Sequence, residues 1–234
     1  MKKVSIIVLV VVGLMFAAYA EAAKPKRRSR NANRVGPYAG ALVGSNNYTG
    51  DQSAVESDLA NSFNGIPTQN LSINTEEKDI GYQAAFGYRF NRYLAMEFNL
   101  SEYGDLQSTA RADSDLGGGF VPVSIRLSYH VGGPKLTGIG ILPLGDHFEL
   151  YASGGILFAS SKREFTARVD GETSSFGNVK GDSTEFVLGL GAAYHINQMF
   201  SVRAQYERID EVGDPNRTGT EDIAVASLGL LVRF

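Results

Sequence analysis

The chain has 234 residues, a net charge of −3, no cysteine and no tryptophan, but 11 tyrosines and 13 phenylalanines. Such a length covers one or two domains. The weak negative charge excludes a nucleic-acid binder by bulk electrostatics, and without cysteine no disulfide framework can hold an exported fold together.

The first residues read as an address rather than as structure. Met1-Lys2-Lys3 is a positive start, Val4 to Phe16 is an apolar run, and Ala17-Ala18-Tyr19-Ala20 offers small residues for cleavage. The run is shorter than the roughly 20 residues of a spanning helix. A signal peptide over 1–20 is therefore expected, cut after Ala20 or, at the overlapping A-x-A site, after Ala22. Residues 21–35 form a basic segment, Lys24-Pro25-Lys26-Arg27-Arg28-Ser29-Arg30 and on to Arg34, expected on the periplasmic side. It reads either as a contact to anionic headgroups or peptidoglycan or as a disordered tail.

From residue 36 the chain alternates at period two between turn-forming stretches. The first strand is expected near 36–46, with no readable phase because both faces are small or apolar. Over 79–90, Ile80, Tyr82, Ala84, Phe86, Tyr88 and Phe90 alternate with Asp79, Gly81, Gln83, Ala85, Gly87 and Arg89. After Asn91-Arg92-Tyr93, the residues Leu94, Met96, Phe98 and Leu100 alternate with Ala95, Glu97, Asn99 and Ser101, in a strand expected to reach about 112. Residues 120–143 are read as one long strand with Pro134 at a bulge, although the facing of 131–143 is not fixed by the pattern. Further strands follow over 148–158, 185–196, 200–207 and 224–234.

Connections sort into short turns near 91–93, 145–147 and 197–199, and long polar loops near 47–77, 105–119, 159–183 and 209–222. Strict short–long alternation is the signature of outer-membrane barrels, with short periplasmic turns and long external loops. The fold expected for 36–234 is all-β: an eight-stranded antiparallel up-and-down transmembrane β-barrel in the cell outer membrane. A soluble sandwich also alternates, but here the polar face is rich in Gly, Ala and Ser, and the apolar face carries large aromatics near strand ends, as at Tyr88, Tyr194 and Phe200.

So narrow a barrel is filled by side chains, and charges turned inward must pair. The candidate lumen network is Arg89, Glu97, Glu149, Glu185, Arg203, Glu207 and Arg233, three cations against four acids. Its role is either a gate or structural filling.

The stretches Phe186 to Tyr194, Ser201-Val202-Arg203-Ala204-Gln205-Tyr206-Glu207 and Ser227 to Phe234 resemble the OmpA-like transmembrane domain family, as does Leu142-Pro143-Leu144-Gly145-Asp146-His147-Phe148-Glu149-Leu150-Tyr151. The resemblance covers roughly 36–234 and implies a barrel whose alternate Leu228, Leu230, Val232 and Phe234 form the signal read by the barrel-assembly machinery. Larger members continue into a peptidoglycan-binding domain; this chain stops at Phe234, so that activity is not carried over.

No zinc spacing, P-loop or GxSxG motif is present, and no cofactor or metal is expected. Of the three histidines, His147 and His195 fall at short-turn ends, and His130 near Ser128 has no acid evidently beside it, so a lipid A-modifying enzyme is the least favoured reading. The expected function is structural and surface-interacting, non-enzymatic, with the long loops as contact surface. A narrow porin-like channel is the alternative. Expected partners are outer-membrane lipids and lipopolysaccharide, the assembly machinery and an extracellular ligand of the loops, with no nucleic acid and a monomeric state.

Overall fold

Each extended segment presents two chemically different faces, and the segments solve this by closing into a tube. The computed structural model describes residues 34–49, 65–76, 78–115, 117–170, 172–213 and 221–234, with isolated positions between 57 and 63. The expected signal peptide, its cleavage site and the basic segment up to residue 33 lie outside the described residues. The described strands are β1 (Gly36–Thr49), β2 (Thr68–Glu76), β3 (Lys78–Arg89), β4 (Leu94–Asp115), β5 (Phe120–Pro143), β6 (Phe148–Val169), β7 (Glu172–His195), β8 (Phe200–Val212) and β9 (Glu221–Arg233). Eight of them, β1 and β3 to β9, pair antiparallel in sequence order, and β9 returns to β1, closing the ring. This is the eight-stranded up-and-down barrel that the alternation predicts.

The short turns owe their tightness to side-chain acceptors. Asn91 Oδ1 accepts from the backbone N–H of Tyr93 at 2.7 Å and Leu94 at 2.9 Å. Asn197 Oδ1 does the same for Met199 and Phe200, both at 2.8 Å. In each case the asparagine folds the backbone over its own side chain. The third short turn relies on Gly145, whose φ of 91° suits glycine.

The outer surface of the ring is apolar on every side. Phe186, Leu188 and Leu190 are 81, 69 and 65 % exposed, and Leu94, Met96, Phe98, Leu136, Phe148, Tyr206 and Leu228 are exposed with them. A soluble domain does not encircle itself with such a band; acyl chains are its matching solvent. The band has a sharp upper limit. On β4 the outward Leu100 is followed by Glu102, on β5 Leu136 gives way to His130, on β6 Phe158 to Lys162, and on β8 Tyr206 to Arg208.

Beyond that limit the structure departs from the expected loops. Segments 105–119 and 159–183 are largely strand: β4 and β5 stay paired to Asp115↔Phe120, and β6 and β7 to Val169↔Glu172. At the first tip, Asp115 Oδ1 accepts from Gly117 at 2.9 Å and Gly119 at 3.1 Å. Within the expected loop 47–77, β2 adds to the free edge of outer β4, with Ile73 opposite Ala110. Polar composition hides these strands in the sequence, because outside lipid both faces can meet water and the alternation fades. Backbone pairing persists regardless. About ten residues per strand, at roughly 3.3 Å each, carry this sheet some 30 Å past the lipid belt. It has its own small core, where Phe63 packs on Ala110, Ala112 and Leu127 beside Ile73, Val123 and Ile125.

The long strand over 120–143 is present. Pro134 lies opposite Leu100 of β4, while towards β6 the register passes from Gly132↔Ser160 to Lys135↔Leu157 without a pair between and without a shift. Proline, lacking an N–H, sits where one ladder is interrupted. The bulge itself is on the partner strand, between Glu102 and Asp105, where Gly104 takes a φ of 73°.

Inward glycines make room for the tyrosines that fill the bore. A Cβ added to Gly87 would stand 2.2 Å from Tyr38 Cζ, and one on Gly191 2.3 Å from Tyr151 Cζ. We expect Gly87→Ala to cost about 1–3 kcal/mol through overpacking, read as a lower urea midpoint for unfolding in detergent. An unchanged midpoint would show that Tyr38 is free to move aside.

Candidate functional site: the barrel interior

Inward positions of the eight strands stack polar groups in three layers from the periplasmic end. The lowest surrounds Glu149 of β6. Arg89 of β3 donates to both its oxygens, at 2.8 and 2.9 Å, in the bidentate geometry that suits guanidinium and carboxylate. Arg89 also donates to the carbonyls of Asn91 at 2.9 Å and Arg92 at 2.8 Å, tying the layer to the turn. His195 Nε2 lies 3.0 Å from Glu149, its Nδ1 lies 2.6 Å from Ser201 Oγ, and Arg34 reaches Glu149 at 3.4 Å.

In the second layer, Glu97 of β4 accepts from Arg203 of β8 at 2.7 Å and from the hydroxyl of Tyr38 at 2.8 Å. The Arg203 guanidinium lies over the rings of Tyr151 at 5.1 Å and Tyr38 at 5.8 Å. In the third, Lys135 of β5 donates to both oxygens of Glu207 at 2.6 and 2.7 Å. Gln83 donates to Glu207 at 2.9 Å, Gln205 donates to Gln83 at 3.2 Å, and Tyr151 donates to Gln205 at 3.1 Å. Glu97, Glu149, Glu207, Arg89, Arg203 and Lys135 are all buried. Each acid thus has a charge partner and further donors, the condition under which buried ions are tolerated.

Above Lys135 the interior turns apolar. Tyr103, Leu106, Tyr129, Val131, Leu157, Val187, Ile209, Val212, Ile223 and Val225 form one buried cluster across the outer half of the bore. Among the described residues the buried ion pairs are confined to the periplasmic half, while in the outer half the Arg163 guanidinium lies over the Tyr129 ring at 5.8 Å.

Five of the seven residues singled out from the sequence, Arg89, Glu97, Glu149, Arg203 and Glu207, meet in these layers. Glu185 and Arg233 make no ion pair among the described residues. Glu185 faces inward opposite Leu157, but β7 and β8 part above Val187↔Ile209, leaving it half-exposed at an open edge. Arg233 is half-buried at the periplasmic end. Lys135 is the member that sequence reasoning missed, because Gly132-Gly133-Pro134 obscures the phase of its strand. The signal was a surplus of acids over cations, which demanded one more inward cation.

His130 lies outside the lipid belt and differs from expectation. Two acids flank it: its Nδ1 is 2.9 Å from Asp105 and its Nε2 is 2.9 Å from Glu102. The Glu102–Asp105 bulge brings both carboxylates to one imidazole. Hydrogen bonds to Asp105 and Glu102 raise its pKa to about 9. With both nitrogens occupied and a proton held at neutral pH, this ring is no general base. Among the described residues, no three His, Asp or Glu side chains converge as metal ligands.

With barrel, lipid belt and filled interior in place, comparison with known proteins is decisive. Residues 31–234 match the OmpA-like transmembrane domain. The chain belongs to this family. Outer membrane protein A of Shigella flexneri is 26 % identical over 162 residues, covering 68 % of this chain and 42 % of that protein. The Escherichia coli O157:H7 counterpart is 25 % identical, covering 68 % of this chain and 41 % of the relative. The chain thus spans about two-fifths of the length of the curated relatives it matches. Among solved structures, it is similar to Ail of Yersinia pestis (14 % identity, TM-score 0.42, covering 86 % of this chain and 99 % of Ail). It is also similar to the N-terminal β-barrel domain of Pseudomonas aeruginosa OprF (14 % identity, TM-score 0.43, covering 86 and 98 %). Like its OmpA relatives, this family member resides in the outer membrane.

Two outcomes follow. Glu97→Ala leaves Arg203 buried without its carboxylate and should cost about 3–5 kcal/mol, measured by urea unfolding in detergent; Glu185→Gln should leave the midpoint unchanged. For His130 the folded pKa lies above the unfolded one, near 6.5. Its stabilisation is complete below pH 6.5 and is lost as pH rises through about 9. An NMR titration should place His130 near pH 9, with amide exchange at Glu102–Asp105 accelerating over the same range; a midpoint near 6.5 would contradict the bracket.

Proposed function

We propose that this OmpA-like barrel is a closed, non-enzymatic anchor that holds a stiff external β-sheet as a contact surface. The observation that carries this reading is that a buried apolar cluster closes the outer half of the bore, while four strands continue far beyond the lipid belt and gain a fifth, β2, outside it. A structure that transports needs a path, whereas one that presents a surface needs rigidity. The chemistry of His130 supports the non-enzymatic part, since its ring nitrogens are taken by carboxylates.

The outward face of the external sheet carries exposed Arg111, Arg126 and Arg168, with Ser124 directly between Arg111 and Arg168 in the register. Nearer the belt stand Lys162 and Arg208, at the level where lipopolysaccharide headgroups surround the ring. Lys162 pairs with Glu164 and Arg208 with Asp210 within the chain; the outward arginines Arg111, Arg126 and Arg168 are the cations that support lipopolysaccharide as a neighbour. Leu228 and Leu230 of β9 are exposed on the lipid face, whereas Val232 is buried; with Phe234 just past the strand, these four are read as the assembly signal from their alternate spacing.

A second reading, a narrow channel for ions or small solutes, is favoured by the stacked ion pairs Glu97–Arg203 and Lys135–Glu207 in the periplasmic half. It requires the apolar cluster around Tyr129 and Ile209 to part. Planar-bilayer recording discriminates. We expect no stable openings from the protein, nor from Glu207→Gln, because the apolar half still closes the bore. Openings that widen when Glu207 or Arg203 is neutralised would make the channel the correct reading. Replacing 108–126 and 164–180, which spares the buried cluster of the bore, by short turns should leave the barrel inserted but abolish binding of cells to surfaces they otherwise adhere to.

A further inference from the structure

Among the described residues, Glu149 is the acid that faces the bore at its periplasmic end, and more than one cation stands around it. Arg34, Arg89 and Arg233 gather there with Glu149. Both Glu149 oxygens are engaged by Arg89 at 2.8 and 2.9 Å, with His195 at 3.0 Å and Arg34 at 3.4 Å. Arg233 is left over: its Nε and Nη1 are shielded from solvent and have no hydrogen-bond partner among the described residues. The sequence leading into Arg34 does not redress the balance, since residues 24–33 hold five Lys and Arg and no acid. Guanidinium N–H groups shielded from solvent without an acceptor are costly, and like charges nearby add to that cost.

Beside these donors lies a cavity of ≈ 30 Å³, lined among others by Arg89, Arg203, Arg233, His195 and Ser201, and by Glu149, whose two oxygens are already held by Arg89. One water needs roughly 10–15 Å³ of such space, so the cavity takes a halide or a group of similar size and excludes a sugar ring. Arg203 is already balanced by Glu97 and Arg89 by Glu149. Arg203 Nε is idle as well, but among the cations lining the cavity only Arg233, with Nε and Nη1 both idle, combines idle N–H groups with a charge that no carboxylate partners among the described residues. We propose that this cavity binds a small monovalent anion of halide size, with Arg233 as the principal donor. The anion fastens the mouth of the barrel by supplying the charge that the sequence leaves out. This inference does not depend on whether the external sheet or the bore carries the protein's function.

Bromide is the probe. In crystals of the whole protein grown with sodium bromide, anomalous density should appear in this cavity, within hydrogen-bonding reach of Arg233. In detergent, the unfolding temperature should rise saturably with sodium bromide by several degrees, and the rise should vanish in Arg233→Gln. Should that variant fail to fold, Arg233→Lys, which keeps the charge but loses the guanidinium fork, should shift half-saturation several-fold to higher bromide. Density showing only water in the cavity, bromide bound only elsewhere, or the same bromide response in the protein and its Arg233 variants would each overturn the proposal.

Discussion

Everything in this molecule follows from the demand that no backbone polar group meet acyl chains unpaired. Hydrocarbon offers no hydrogen bonds, so an extended chain can cross it only as part of a ring without edges. Closing eight strands, from β1 round to β9 and back, satisfies that demand. Closure then divides the side chains. Every second residue faces lipid and must be apolar. The others face a bore so narrow that they must fill it.

The filling follows a division of labour along the bore. Where charges enter, they do so in sets: Glu149 with Arg89, Glu97 with Arg203 and Tyr38, Glu207 with Lys135 and Gln83. Removing one member leaves another stranded in a dry wall, so the layers hold or fail as units. The outer half closes the tube mainly by apolar packing, with the Tyr129 hydroxyl donating to the Val212 carbonyl at 2.9 Å. Above it, freed from lipid, β4 to β7 keep pairing and turn what reads as loop into a sheet with a core around Phe63. An edge in water is tolerable, and β2 partly covers it on β4.

Legibility tracked environment. Where lipid lay on one side and bore on the other, the alternation was loud: 79–90, 94–100, 148–158, 185–196 and 224–234 were all readable with their facing. On β1 it was silent, because Ala39, Ala41 and Val43 towards lipid and Gly40, Leu42 and Gly44 towards the bore are equally small or apolar. Around Gly132-Gly133-Pro134 the pattern broke, and Lys135 went unseen with it. The external strands, rich in Ser, Thr, Asn and charge over 159–183, looked like solvated loop because water removes the penalty that enforces alternation. Pairing across long distances decided their structure, and pairing leaves little local trace. The bracket around His130 had the same cause: a bulge at Glu102–Asp105, invisible in composition, brings its two acids to the ring.

The central claim is that the greasy face of each strand touches acyl chains over a defined height. Nuclear Overhauser contacts between acyl-chain protons and backbone amides, measured in nanodiscs, test it directly. They should appear along Leu94–Leu100, Leu136–Leu142 and Phe186–Tyr194 and stop before Ala110, Ile125 and Thr166. Contacts that continue into the external sheet, or that are missing from the Phe186–Tyr194 face, would contradict it.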